Sequence, residues 1–224
     1  MTHVPRRVYD LSQPVFDNCP QYPDDNPRPA QVRLFYMLAI QGVNKEIVEL
    51  STHTGTHCDA PYHFFEDGQT IDQVPLNTFV GPALLFDLRH KPPGSAIERS
   101  DIVRRADALE KDDIALLNTG FGHRRANTQA FLTQYAWLTG AAADLLVERG
   151  VKGVGIDAVS LGGYGDPEKA RPAHSALLGR GKFIVEELFF PDEIMDGAKR
   201  LFVAAPVKLR GCSGAWTRAM LWEF

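Results

Sequence analysis

Ser51-Thr52-His53-Thr54-Gly55-Thr56-His57-Cys58-Asp59-Ala60-Pro61-Tyr62-His63-Phe64 gathers three of the chain's seven histidines within eleven residues, with an aspartate among them. Imidazole and carboxylate are donors that zinc, iron and manganese accept. Two histidines four apart can chelate one metal from a helix. Here Gly55, Pro61 and the β-branched Thr52, Thr54 and Thr56 oppose helix, so the segment reads as extended. In extended chain His53, His57, Asp59 and His63 share one parity and project to one face. A straight strand would hold His53 about 13 Å from His57. Two nitrogens on one zinc lie only roughly 3 Å apart. The chain must therefore bend, and Gly55 is the residue that permits it. Cys58 has the opposite parity and reads as a packing residue. His3, His90 and His123 stand alone and read as ordinary packed or exposed histidines.

Working outward, Leu34–Ile40 and Glu46–Thr52 are apolar or β-branched runs around a Gln41-Gly42-Val43-Asn44 turn, which predicts a hairpin. Ala83–Leu88 reads as a buried strand. Ser100 is expected to cap a helix through Ala108, with Ile102, Val103, Ala106 and Leu109 on one face. Ile114–Leu117 follows as a short strand. Thr139 is expected to cap a second helix that ends at Gly150, before a strand at Gly153–Ile156. Phe183–Leu188 and Leu201–Leu209 complete the set. Strands dominate the first half and helix–strand alternation the middle. This predicts one compact α/β domain over residues 1–224, with a mixed sheet flanked by helices. Gly94-Ser95 is the best internal boundary, but the length favours a single domain. Residues 1–30 hold six of the 15 prolines and read as an ordered arm that wraps a neighbour.

The 224 residues are 44% hydrophobic and 23% charged, which suits a globular chain and excludes disorder or a disulfide-rich miniprotein. With 24 basic and 28 acidic residues the net charge is −4, the wrong sign for a nucleic-acid binder. No run approaches the roughly 20 apolar residues of a membrane span. Cys19, Cys58 and Cys212 are odd in number and widely spaced, which fits a reducing compartment. Met1–Arg7 lacks an apolar signal region, so the cytoplasm is the expected location. No GxGxxG or Walker sequence calls for an organic cofactor.

The segment His53-Thr-Gly-Thr-His57-Cys-Asp59-Ala-Pro61-Tyr-His63 resembles the HxGTHxDxPxH signature of the cyclase-like metal hydrolases. That superfamily includes bacterial kynurenine formamidase and isatin hydrolase. Tyr9–Pro14, Gly155–Leu161, His174–Leu178 and Ile184–Leu188 resemble its further landmarks. One departure is Gly162, where many members carry an aspartate. The resemblance implies a mixed sheet or small central β-barrel, and a homodimer or larger assembly. It also implies two divalent ions, zinc or manganese. His53, His57 and Asp59 would hold one ion, with Asp59 bridging to a second completed by His174 and Glu186. His63 would act as general acid/base. Glu186 has a rival in Glu187, since adjacent strand residues face opposite sides; the family register favours Glu186. The implied activity is hydrolysis of an aryl-linked or cyclic amide, N-formylkynurenine first and the lactam isatin second. Phe64, Phe65, Tyr62 and Trp216 are candidates for an aromatic wall or for core.

Two readings of other classes use the same residues. His57, Asp59 and His174 match a 2-His-1-carboxylate Fe(II) triad. That leaves His53, His63 and Glu186 without roles, and helix–strand alternation is a poor fit to an all-β jelly roll. A non-catalytic metal or ligand site would require a closed donor shell.

Overall fold

The computed structural model describes residues 4–224. Met1, Thr2 and His3, the first three residues of the proline-rich arm, lie outside the described residues. The strands are β1 (Arg7–Asp10), β2 (Gln31–Tyr36), β3 (Lys45–Glu49), β4 (His57–Asp59), β5 (Val80–Asp87), β6 (Ala96–Ile97), β7 (Ile114–Asn118), β8 (Trp137–Leu138), β9 (Gly153–Ile156), β10 (Phe183–Glu186), β11 (Arg200–Val203), β12 (Gly214–Trp216) and β13 (Met220–Glu223). The helices are α1 (Leu38–Gln41), α2 (Arg99–Ala106), α3 (Gln129–Thr133), α4 (Gly140–Glu148) and α5 (Pro167–Leu178).

Nine strands form one sheet in the order β1-β13-β11-β5-β7-β9-β10-β4-β12. The central run β5-β7-β9-β10 is parallel, as α2, α4 and α5 between successive strands require. Both flanks are antiparallel. The sheet is mixed and its pairing order is open, with β1 and β12 at its ends. It curls nonetheless: Tyr9 and Leu221 from one end share an apolar cluster with Cys58 and Ala215 from the other.

Strand alternation divides the core. Leu84, Phe86, Ala115, Leu117, Val154, Ile156 and Ile184 face the helices. Ala83, Leu85, Ile114, Leu116, Phe183 and Val185 face the inside of the curl. Each layer buries large aliphatic and aromatic side chains away from water, which drives the two-layer arrangement.

Several boundaries differ from the sequence reading. Helix α2 is capped by Glu98, not Ser100: Glu98 and Asp101 form a reciprocal capping box, with the Glu98 N–H donating to Asp101 at 2.7 Å. It ends at Ala106, before the expected Ala108. Thr139 does cap α4, accepting from the Ala142 N–H. Strand β10 stops at Glu186 because Glu187 takes a left-handed φ of 52°. Strand β11 stops at Val203, well short of Leu209, and Pro206 beyond it has no ladder N–H to give. The run Leu34–Ile40 is not one strand. It breaks after Tyr36 into the single turn α1, closed by Gly42 at φ 75°. Helix α5 was not foreseen. Pro167 at its first position suits a helix start, whereas Pro172 inside argues against a helix interior; Asp166 caps it by accepting the Glu168 N–H at 2.9 Å.

Candidate metal centre

The shared-parity argument holds for His57 and Asp59 alone, the two members that lie in a strand. β4 sits between β10 and β12, so Cys58, Val185 and Ala215 align across three strands and enter the inner core. The alternate row carries Asp59 opposite Ile184 and His57 opposite Glu186. This row faces the helix layer, where α5 delivers His174. His53 reaches the same place from a turn, because Gly55 adopts φ 69°. A side chain there would also meet Val15 of the arm at 2.9 Å. His63 arrives on a 3₁₀ turn, Pro61–His63, instead of an extended strand.

Two donor groups result. His53, His57 and Asp59 form one and Asp59, His174 and Glu186 the other, each offering ligand atoms within 4.8 Å of one another. Asp59 is common to both. His53 Nδ1 lies 2.9 Å from Asp59 Oδ1, and its Nε2 lies 2.8 Å from the Ser213 hydroxyl. His57 Nδ1 lies 2.8 Å from the Gly55 carbonyl, and His174 Nδ1 lies 2.8 Å from the Ala170 carbonyl. A carbonyl only accepts, so each contact places a proton on Nδ1 and turns Nε2 toward the buried carboxylates, 3.3 Å from Asp59 for His57 and 3.0 Å from Glu186 for His174. Glu186 Oε1 accepts from the Leu161 N–H at 2.6 Å and the Ser160 hydroxyl at 3.3 Å, which fixes its carboxylate. His63 is in neither donor group. Its ring stacks on His53 at 4.1 Å and meets His174 edge-on at 6.2 Å.

The residues fit a divalent cation. Buried His57 Nε2 and Asp59 Oδ2 have no hydrogen-bond partner, a costly condition for polar atoms unless something else binds them. Burial opposes charge on His57, yet the adjacent carboxylate of Asp59, 3.3 Å from Nε2, and then Glu186 raise its pKa to about 9. His174 shifts upward against burial through Glu186. Burial would raise the Asp59 carboxyl, but the surrounding His63, His53 and His57 hold it well below the usual range. The two buried carboxylates thus demand positive charge, which a cation supplies in place of protons. His63 behaves differently: burial, with His53 and His174 acting against Asp59, lowers its pKa to about 4.

A cavity of about 590 Å³ opens onto the centre, with buried His174 and Glu186 at its inner end and the half-buried His53 and exposed His63 also lining it. Of the four aromatic candidates named from sequence, only Phe64 lines the cavity, stacked on His174 at 4.6 Å. Tyr62 and Phe65 are exposed, and Trp216 donates its ring N–H to the Ser51 carbonyl at 2.8 Å. The sequence reading missed the opposite wall. Gln21, Tyr22, Asp24, Asn26 and Arg28 of the proline-rich arm close it. The arm therefore lies over its own chain: Arg125 donates to the Pro14 carbonyl and the Gln13 N–H donates to Thr56, both at 2.8 Å. The Tyr22 phenol is shifted upward by burial and by Tyr164, Glu186 and Asp24.

Glu187 is not a second candidate ligand. It is buried beside Arg125, whose Nε donates to it at 2.9 Å, and burial pushes its pKa up against that pull. Asp157 accepts from Thr119 and Gly122 and organises a neighbouring turn. Gly162 has a local reason: a Cβ there would stand 2.2 Å from the Ala170 carbonyl of α5. His123 bonds the Phe190 carbonyl at 2.8 Å, away from the centre, and His90 is exposed.

Residues 9–162 match the protein family described as "Putative cyclase". The chain is 32% identical to kynurenine formamidase of Paracidovorax citrulli, over 97% of each protein. Among solved structures it is similar to one titled a potential metal-dependent hydrolase with cyclase activity. That likeness has 30% identity and a TM-score of 0.79, and covers 97% of this chain and 98% of the other. Isatin hydrolase A of Labrenzia aggregata shares the fold at TM-score 0.86 and 22% identity, covering 97% of this chain and 93% of the other.

Proposed function

The chain belongs to the cyclase family and is a metal-dependent amidohydrolase, and we propose that it hydrolyses an aryl formamide of the N-formylkynurenine type. The observation that carries this reading is the pair of donor triads sharing Asp59, with two orphaned polar atoms, at the buried end of an aromatic-walled cavity.

His53, His57 and Asp59 would hold one divalent ion, and Asp59, His174 and Glu186 a second, zinc or manganese. Such ions polarise an amide carbonyl and lower the pKa of water towards 7. The chain's own residues supply the rest. The Gly55 and Ala170 carbonyls lock the His57 and His174 tautomers, and Ser160 and Leu161 lock Glu186. The low pKa of His63 leaves its imidazole neutral at pH 7. One of its ring nitrogens can take a proton from water at the centre and deliver it to the departing aryl amine nitrogen. Phe64 and Tyr22 line the cavity and shield the reacting amide from solvent. The Fe(II) oxygenase reading leaves His53 and Glu186 idle, although both are gathered at the centre.

The enzyme is assigned to the cytoplasm on its free, widely spaced cysteines. Among the described residues no helix is long and apolar enough to cross a membrane. Self-association is assigned to the β2–β3 hairpin, where Leu34, Phe35, Ile47 and Val48 are each about half exposed. The test of activity is to follow formate release from N-formylkynurenine and ring opening of isatin in parallel, with metal-loaded enzyme. Formate release dominates if the reading is right. Ring opening alone would transfer the assignment to a lactam, and inactivity on both would discard these substrates.

A further inference from the structure

The cavity is chemically graded. Its inner end is buried, with His174 and Glu186 3% and 5% exposed. Phe64 and Tyr22 add aromatic rings to its lining. Its outer end is made by the arm, where Asp24, Asn26 and Arg28 are all exposed. Asp24 and Arg28 carry opposite charges on one short segment. Arg33, just beyond, pairs with Glu49 at 3.7 Å; among the described residues neither Asp24 nor Arg28 has such a partner. The segment is fixed in place: the Gln21 side chain donates to the Arg28 carbonyl at 3.0 Å, and the Asn18 N–H donates to the Ala30 carbonyl at 2.7 Å.

We infer that Asp24 and Arg28 form a recognition site for a zwitterionic α-amino-acid group carried by the substrate. This rests on the aryl formamide reading and deepens it. An α-amino acid presents an ammonium and a carboxylate on one carbon. A carboxylate and a guanidinium on one wall match that pair, and the guanidinium can bind a carboxylate through two parallel hydrogen bonds. With the amide at the buried donor groups, a side arm on the ring can extend toward the exposed charges of the arm, which line the same cavity. A compact neutral lactam has nothing to offer these charges. The cavity volume also lies in the range that encloses extended, drug-sized ligands. The arm thus sets which amides are taken, while the donor residues set what is done to them.

The experiment compares kcat/KM for N-formyl-L-kynurenine with that for 2-formamidoacetophenone, which keeps the aryl formamide and ketone but lacks the amino-acid arm. The wild-type enzyme should favour the amino acid. Arg28→Gln and Asp24→Asn should each lower the ratio about tenfold, through KM, as expected for one charge-assisted contact. Asp25→Asn, a neighbouring charge outside the cavity wall, should leave the ratio unchanged. Equal wild-type values, or a ratio unmoved by both cavity variants, would overturn the inference. If the enzyme cleaves neither formamide, the activity reading falls on its own. The site is then decided by equilibrium binding of L-kynurenine against 2-aminoacetophenone. Tighter binding of the amino acid that Arg28→Gln removes would uphold it, and equal or absent binding would reject it.

Discussion

Strand β4 and the β2–β3 hairpin look alike in sequence and meet opposite fates. Both have β-branched residues in or beside them and both read as extended. Every residue of β4 is buried, and its neighbours on both sides fix which way each side chain points. Every residue of β3 is exposed, and the hairpin pairs only with itself. An isolated two-stranded ribbon is marginal in water. The hairpin therefore holds apolar surface that this chain alone does not cover, whereas the β4 region gathers buried metal-donor side chains. The proposed chemistry belongs to the β4 region and the proposed self-association to the hairpin.

The largest expected effect lies in the buried region. Asp59→Ala removes the carboxylate common to both donor groups. Bound metal should be lost from both, and turnover should fall by about 10⁴-fold or more. Elemental analysis showing wild-type metal content would refute the shared-ligand assignment. His63→Ala sharpens the division of labour within the same region. It should keep its metal and lose about 10²–10⁴-fold in kcat. Metal leaving with His63 would make it a ligand instead.

Arg125→Ala tests the foundation beneath the centre. The Arg125 and Glu187 side chains are 6% and 1% exposed, so removing one partner strands a buried carboxylate. A stability loss of about 3–5 kcal/mol is expected, read as a lower urea midpoint at unchanged slope. An unchanged midpoint would show that the pair contributes nothing. The smallest effect on the folded chain should come from the hairpin. Leu34→Lys combined with Ile40→Lys should alter stability by no more than about 0.5 kcal/mol. The same variant should shift the sedimenting mass from oligomer to monomer. An oligomer that survives the change would place the interface elsewhere.

The sequence alone determined the donors' chemistry and the need for a bend. Histidine and aspartate spacing around Gly55 dictated that the chain fold back, and φ 69° at that glycine is the result. It also determined the buried strands Ile114–Leu117 and Gly153–Ile156 and the cap at Thr139, because continuous apolar runs and a hydroxyl before a helix are local signals. His174 and Glu186 became legible through family resemblance; no local pattern near them announces a ligand. Helix α5 was hidden because Pro172 opposes helix locally, and packing against α4 and β10 overrides that preference. Glu186 was preferred to Glu187 through the same resemblance; the physical separation of the two, by strand register and a left-handed φ at Glu187, belongs to the folded sheet. The arm's place over the cavity was equally invisible. Residues 21–28 meet residues near 53, 160 and 174 only after the long loops between them close, and no periodicity in the sequence encodes such a meeting.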